Sequence, residues 1–357
     1  MDRKARSDDA GKAAWVHVDE SLAGIRRRRK GRGWAYWDAA GTRITDRDEI
    51  DRLNRIGLPP AYGAAWFCPH PHGHIQATGI DAKGRKQYRY HPAFRTAREG
   101  EKFDGCAAFG RLLPKVRAAV ERDLATPRLT RERCIASIVR LLDSGAIRVG
   151  NEAYAKANRS FGATTLRMRH ARVQGGTLTL RFRAKSGRMR EMRVADRRLV
   201  RFVRRMQDVP GQHLFQYIDD TGEACPVGSA DVNAWLRAVM GGDFTAKHFR
   251  TWHASALAFE RLATAPEDVR LKDLLQDVSD RLGNTPAIAR KSYVHPAVLA
   301  LVDNQREWRA TLKLPRATRW LSRAERGLIA LLEDGPRAAD LLSDQASRSK
   351  AGTSSSK

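Results

Sequence analysis

A chain of 357 residues, 42% of them hydrophobic, can bury a substantial core and is long enough for two domains and a tail. Its 66 Lys and Arg against 40 Asp and Glu leave a formal net charge of +26, an excess that favours a polyanionic partner. No apolar run approaches the ~20 residues of a membrane span, and no single helical pattern gathers the charge on one polar face, so nucleic acid is a better reading of that partner than a membrane surface.

The chain opens on a charged stretch, Met1 to Gly11, that leads into no apolar signal core, which speaks against secretion. Arg26 to Lys30 is an isolated basic cluster, DNA-contacting or solvated. Gly33 to Asp38 and Thr42 to Thr45 flank an Ala-Ala-Gly turn and predict a hairpin. Asp46 to Ile56 carries early acids, then Ile50, Leu53 and Ile56 at helical spacing, and Gly57 as a stop. Pro59-Pro60 leads to an extended stretch, Ala64 to Cys68. His74 to Thr78 and Lys86 to Tyr90 bracket Asp81-Ala82-Lys83-Gly84, a second hairpin with a basic tip. Beyond Pro92 apolar positions recur every three or four residues through Phe109 to Leu124 and Arg131 to Leu142, so helices take over. One β interruption follows. Met168 to Val173, Thr177 to Ala184 and Arg188 to Val194 alternate, with Gly175-Gly176 and Ser186-Gly187 at the turns. Helical patterns resume at Arg197 to Gln207, Ala230 to Met240, Ala246 to Leu262 and Pro266 to Leu282, and from Ala338 the apolar pattern is lost. The fold class expected is α+β: a β-rich N-terminal domain (1–95), a mainly helical domain (96–337) with a three-stranded β insertion, and a disordered basic tail (338–357).

Metal-free phosphodiester transfer needs an aligned nucleophile, positive charge on the non-bridging oxygens and a proton for the leaving oxygen. Arginine suits the second task, because its planar fork stays charged and grips phosphate oxygens bidentately. Lysine can serve as the acid when its surroundings tune its pKa. Four segments carry such groups. Gly145 to Glu152 sets Arg148 between apolar residues. Phe182 to Gly187 places Lys185 at a hairpin tip. Thr245 to Trp252 opens a helix carrying Lys247 and Arg250. Leu282-Gly283-Asn284-Thr285-Pro286 precedes Ala289-Arg290-Lys291-Ser292-Tyr293. Taken alone, Tyr293 reads as an amphipathic-helix residue, Lys185 as an edge-strand lysine and Asn284 as a helix cap.

In that order, Arg, hairpin-tip Lys, Lys-x-x-Arg, Gly-Asn-Thr and Tyr resemble the catalytic set of type IB DNA topoisomerases, in the small bacterial and poxvirus-like branch. Gln76-Ala77-Thr78-Gly79 and Gly84 to His91 also resemble that branch's DNA-clamping β domain. The resemblance runs from Trp66 to about Pro296. It implies Tyr293 as nucleophile, Arg148 and Arg250 on the scissile phosphate, Lys185 as proton donor, and two domains closing on duplex DNA as a C-shaped clamp. Asn284 stands where many relatives carry histidine, which implies a hydrogen-bonding role without imidazolium chemistry. Lys83, Arg85, Lys86, Gln87, Tyr88, Tyr90 and Lys247 are the implied DNA contacts, the hairpin residues in the major groove. For Gln87, Tyr88 and Tyr90 the bland alternative is a strand with a core tyrosine.

The resemblance further implies relaxation of supercoils of both signs by a monomer in the cytoplasm, on the nucleoid, with no cofactor. In agreement, the sequence shows no G-x-x-x-x-G-K-[ST] loop and no acidic cluster suited to Mg²⁺. Cys68-Pro69-His70-Pro71-His72-Gly73-His74 invites a zinc reading, but the prolines stiffen it and no second ligand pair follows, so no metal is expected. Cys68, Cys106, Cys134 and Cys225 are scattered, as reduced thiols of a cytosolic protein would be. A tyrosine recombinase shares the chemistry, though recombinases usually carry histidine where Lys247 stands. A basic architectural DNA-binding protein with a dead site is the alternative from another class.

Overall fold

A computed structural model describes residues 15–343, which divide into two compact units at Glu101/Lys102. The division falls six residues beyond the expected 95/96 boundary, inside a helix.

The first unit is β-rich. Strand β1 (Arg26–Lys30) pairs antiparallel with β2 (Gly33–Trp37). The basic run is therefore a strand, and Arg27 is partly buried in it: its guanidinium lies 4.1 Å from the Trp34 ring and donates to the carbonyls of Leu58 and Pro59. The hairpin expected between Gly33–Asp38 and Thr42–Thr45 is reduced to an isolated Trp37–Arg43 bridge, on the edge of β2 opposite β1. Helix α1 (Arg47–Arg55) starts where Asp46 accepts from the Asp48 amide, and the chain leaves it at Gly57 with φ +64°. Strands β3 (Gly63–Phe67), β4 (Ile75–Ile80) and β5 (Lys86–Tyr90) form an antiparallel sheet in sequence order. Ile25, Tyr36, Leu53, Leu58, Phe67 and Ala77 close the core between these elements, with Tyr36 and Phe67 edge to face at 5.4 Å. The Cys68–His74 run is occupied structurally. Cys68 is buried, Gln76 donates to the Pro71 and Gly73 carbonyls, and His74 Nδ1 accepts from the Val18 amide.

Helix α2 (Pro92–Ala125) is longer than its apolar pattern suggests, with Pro92 at its start and Pro114 inside it. The second unit then follows as α3 (Arg131–Gly145), α4 (Glu152–Asn158), the three-stranded sheet β6 (Ala171–Gln174), β7 (Thr177–Arg183) and β8 (Met189–Val194), and α5 (Arg197–Gln207). A short hairpin, β9 (Gln216–Ile218) with β10 (Ala224–Pro226), has three-residue strands too short to leave a period. Helices α6 (Ser229–Met240), α7 (Ala246–Thr264), α8 (Leu271–Leu282), α9 (Pro286–Ser292), α10 (Pro296–Ala300), α11 (Gln305–Thr311) and α12 (Arg323–Asp334) complete it. Helix α8 begins at Leu271 rather than Pro266, since residues 266–270 lie outside it and Val269 bonds to the Gln305 side chain instead. The architecture is thus α+β, a small β-rich region followed by a helical core.

Helix α7 is central, with Phe249, Trp252, Phe259 and Leu262 fully buried. Gly110 of α2 lets it approach: a Cβ there would fall 2.2 Å from the Trp252 ring. Arg117 of α2 is clamped between Asp143 of α3 and Glu325 of α12, bidentate to each at 2.7–3.0 Å, and Trp252 donates to Glu325 at 3.1 Å. Residues 338–343, assigned to the tail from sequence, are helical, with Ala338 buried and its amide bonded to Asp104 at 2.7 Å; the rest of the expected tail lies outside the described residues.

Candidate active site and nucleic-acid interface

The second unit brings Arg148, Lys185, Lys247, Arg250 and Tyr293 around one cavity of about 350 Å³. Each arrives by a different local device. Arg148 sits on the loop after α3, whose cap Ala146 takes a left-handed conformation (φ +48°) that costs an L-residue on the order of 1 kcal/mol. That loop is pinned by three bonds: Ala163 N to the Arg148 carbonyl at 2.8 Å, Thr164 N to the Val149 carbonyl at 2.7 Å, and Thr164 Oγ1 to the same oxygen at 2.9 Å. Gly162 makes the fit possible, since a Cβ there would lie 2.6 Å from the Arg148 carbonyl. Lys185 stands at the β7–β8 tip, where Ser186 (φ +65°) and Gly187 (φ +74°) reverse the chain. Lys247 and Arg250 occupy the first turns of α7, the lysine exposed and the arginine only 3% exposed.

Arg250 is the pivot. One terminal nitrogen donates to the carbonyls of Ala146 and Leu282, which ties the Arg148 loop to the end of α8. Its Nε and other terminal nitrogen are buried with no partner among the described residues, two parallel donors suited to phosphate oxygens. The guanidinium lies 4.7 Å from the centre of the Tyr293 ring. Burial alone would raise the Tyr293 phenol, but the positive charges of Arg250, Arg148 and Lys247 outweigh it and hold the pKa below the usual tyrosine range. The Tyr293 segment is fixed from behind: Ser255 Oγ donates to its carbonyl, and Lys102 of α2 donates to the Ser292 carbonyl with its ammonium 5.7 Å from the ring centre.

Asn284 does not line this cavity. It borders a neighbouring one, 7% exposed, with both amide atoms buried and without a partner among the described residues. It is not a helix cap either, because Thr285 caps α9 and accepts from the Ile288 amide. Sequence reasoning missed Lys102 and Gly162. One more Lys or Arg among 66 carries no signal, and Gly162 shows its value only once the Arg148 loop packs on it.

In the first unit, Tyr88 and Tyr90 share the outer face of β5, stacked at 5.8 Å and 7°, and are 37% and 46% exposed, so neither is a core residue. Lys83 is exposed at the tip, while Arg85 and Gln87 both bond Asp81, whose carboxyl is pulled down to about 2, first by Arg85. Lys86 and the Tyr88 hydroxyl reach Glu20 at 3.2 and 3.4 Å. Among the described residues no helix is long and apolar enough to cross a membrane, and no group of three or more His, Cys, Asp or Glu is placed to hold a metal ion.

Residues 91–309 match the family of the eukaryotic DNA topoisomerase I catalytic core, and residues 33–81 that of the bacterial DNA topoisomerase IB N-terminal domain. The mimivirus (Acanthamoeba polyphaga mimivirus) DNA topoisomerase 1B is 31% identical over 301 residues, 80% of this chain and 90% of the viral protein. The DNA topoisomerase 1 of Mycosarcoma maydis is 27% identical over 193 residues, 49% of this chain and 19% of that protein. Among solved structures, the XerH site-specific recombinase bound to palindromic difH substrate aligns at a TM-score of 0.37 with 14% identity, covering 55% of this chain and 51% of its own, too remote to weigh. The protein is a DNA topoisomerase by class. More narrowly, the chain belongs to the type IB DNA topoisomerase family, ATP-independent isomerases.

Proposed function

We propose that this protein relaxes DNA supercoils of either sign by cutting one strand through a covalent bond to Tyr293 and then resealing it, with neither ATP nor metal. The observation that carries this reading is the meeting of a tyrosine, two arginines and two lysines, from four separate segments, on one cavity. The Tyr293 hydroxyl releases its proton to solvent as its oxygen attacks the scissile phosphorus, the bond to the 5′ oxygen breaks, and a 3′-phosphotyrosyl ester and a free 5′-hydroxyl result. Arg148 and Arg250 neutralise the non-bridging oxygens as charge builds. Lys185 gives its proton to the departing 5′ oxygen. Asn284 is assigned the hydrogen-bonding role of the family's histidine on the same phosphate, although its amide here borders the neighbouring cavity. The ester keeps the energy of the bond it replaced, so the 5′-hydroxyl can reverse the step once the nicked strand has swivelled.

Lys83, Arg85, Lys86, Gln87, Tyr88 and Tyr90 contact the duplex from the first unit and Lys247 from the second, the two closing on it as a C-shaped clamp. Neutralising ~6–10 phosphates would cost roughly 10³–10⁵ in affinity between 50 and 200 mM salt. Every proposed catalytic residue belongs to one chain, which supports a monomer, acting on the nucleoid in the cytoplasm. The test is plasmid relaxation in EDTA without ATP, beside Tyr293→Phe, which keeps the ring. Relaxation of both signs, lost with the hydroxyl, is expected. Activity surviving in Tyr293→Phe, or no relaxation by wild-type protein that still binds DNA, overturns it.

A further inference from the structure

Beside the Tyr293 cavity lies a second, of about 750 Å³, where the end of α3, strand β8 and the end of α8 meet. Five arginines and three carboxylates line it, leaving an excess of two positive charges; two of the carboxylates lie by arginines of the same lining and the third bonds an amide. Asp196 pairs with Arg140 at 3.3 Å and caps α5, Glu191 lies 3.8 Å from Arg193, and Asp280 accepts from Gln276 at 2.8 Å. That leaves Arg188, Arg190 and Arg281. Arg188 donates to the Asn284 carbonyl at 2.7 Å, Arg190 to those of Gly145 and Arg281 at 2.7 and 2.8 Å, and Arg281 to that of Ser144. None of the three has a carboxylate in ion-pair reach among the described residues. A guanidinium carries five N–H donors, so one or two carbonyl contacts leave most of each head unused.

Of the other two arginines, Arg281 is near enough for its charge to act on Arg190, where burial is the larger influence. Burial, then the charges of Arg250, Arg281 and Arg148, bring Arg190 down to about 10, where it remains charged at neutral pH. Carbonyls position these heads without discharging them, which is the arrangement a bound anion would complete. The volume suits a ligand larger than a single ion, within the ~300–1,000 Å³ of small-molecule sites. We propose that Arg188, Arg190 and Arg281 form a second phosphate-binding site, distinct from the Tyr293 cavity, that takes a polyphosphate or successive strand phosphates.

The β7–β8 tip connects the two cavities: Lys185 lines the first, and Arg188, three residues on, holds the Asn284 carbonyl in the second. An occupant therefore tightens the loop that carries Asn284. This coupling to catalysis rests on the function proposed above, whereas the binding itself does not.

The test is calorimetric titration of the full-length protein with inorganic pyrophosphate at low ionic strength, without DNA. One saturable site is expected, weakened by about tenfold or more in Arg188→Gln/Arg281→Gln and little changed in Arg237→Gln, a control outside both cavities. Arg281→Gln alone, at the exposed rim, replaces the double variant if that melts early, with a smaller loss in the same direction. A parallel arm measures binding to duplexes carrying one neutral methylphosphonate at successive positions. If strand phosphates fill the site, one non-scissile position weakens wild type but not the double variant, and DNA displaces pyrophosphate. If a free polyphosphate fills it, pyrophosphate binds the DNA-loaded protein undiminished. Loss of pyrophosphate binding in Arg148→Gln with none in the double variant puts the anion in the Tyr293 cavity and overturns the proposal, as does a double variant unchanged in both arms. Failure of plasmid relaxation would leave the pyrophosphate result standing, so the two readings fall separately.

Discussion

Replacing Arg117 with methionine removes the cation shared by two buried carboxylates, leaves only His253 beside Asp143, and keeps the packing volume nearly intact. The side chains of Arg117, Asp143 and Glu325 are 15%, 14% and 12% exposed, and four N–H···O contacts of 2.7–3.0 Å join them. Withdrawing one partner from such a site costs about 3–5 kcal/mol, because the desolvated charges left behind lose their shared counterion. At roughly 2–4 °C per kcal/mol for a unit of this size, calorimetric melting should fall by about 6–20 °C at pH 7. The pH dependence separates this from simple loss of packing. Burial pushes both carboxyls up, but His253 and Arg117 around Asp143, and Arg117 with the Ser322 amide around Glu325, hold both below their ordinary values. Depressed folded-state pKa values give stability that is complete above the unfolded values of ~4 and lost as pH falls through the folded ones. Without Arg117 both carboxyls rise and protonate earlier, so the variant's deficit should be largest near pH 7 and shrink towards pH 4. Removing the exposed Arg319–Glu121 pair by Arg319→Gln should cost under ~1 kcal/mol and serves as control. A deficit below ~1 kcal/mol at pH 7, or one that does not change with pH, would refute the reasoning.

Gly110→Ala should destabilise by about 1–3 kcal/mol through collision with the Trp252 ring, and combination with Trp252→Leu should recover part of that loss in a double-mutant cycle. Single-turnover cleavage should rise with pH and level off below the free-tyrosine value of ~10, because the surrounding cations favour the phenolate; Arg250→Gln should move the midpoint upward, and an unmoved midpoint would deny Arg250 that influence. Tyr88→Ala with Tyr90→Ala should weaken DNA binding at every salt concentration without changing the salt slope, whereas Lys83→Ala should lower the slope by about one. Filter binding across a salt series distinguishes these outcomes.

The elements that were legible in the sequence are those whose burial is periodic or whose ends are marked. Asp46 and Gly57 bound α1, Arg197–Gln207 keeps one buried face over its whole length, and the alternation in β7 returns as buried Leu178, Leu180 and Phe182. The Arg26–Lys30 strand was hidden because five consecutive basic residues carry no alternation, and its burial comes from aromatic and carbonyl partners supplied by other segments. The first part of α2 was hidden by a polar stretch, residues 95–102, with little core to face. For the site, order and spacing singled out Arg148, Lys185, Lys247, Arg250 and Tyr293, and the fold gathers all five. Asn284 shows the limit of that reasoning: spacing selects the residue, but only the path of the α8–α9 connection decides which cavity it borders.

The arginine-to-carbonyl ties have a consequence for the life of the polypeptide. Arg250 reaches back 104 residues to Ala146, Arg188 forward 96 to Asn284, and Arg190 forward 91 to Arg281. No fragment of the chain contains both a seated Arg148 loop and a seated tyrosine until the last of these loops has closed. Closures between residues so distant in sequence form late. A nascent or heat-loosened molecule would thus carry the reactive side chains without their alignment. On the proposed mechanism, strand cutting would then require the completed fold, and a loosened copy would lose it rather than cut at random.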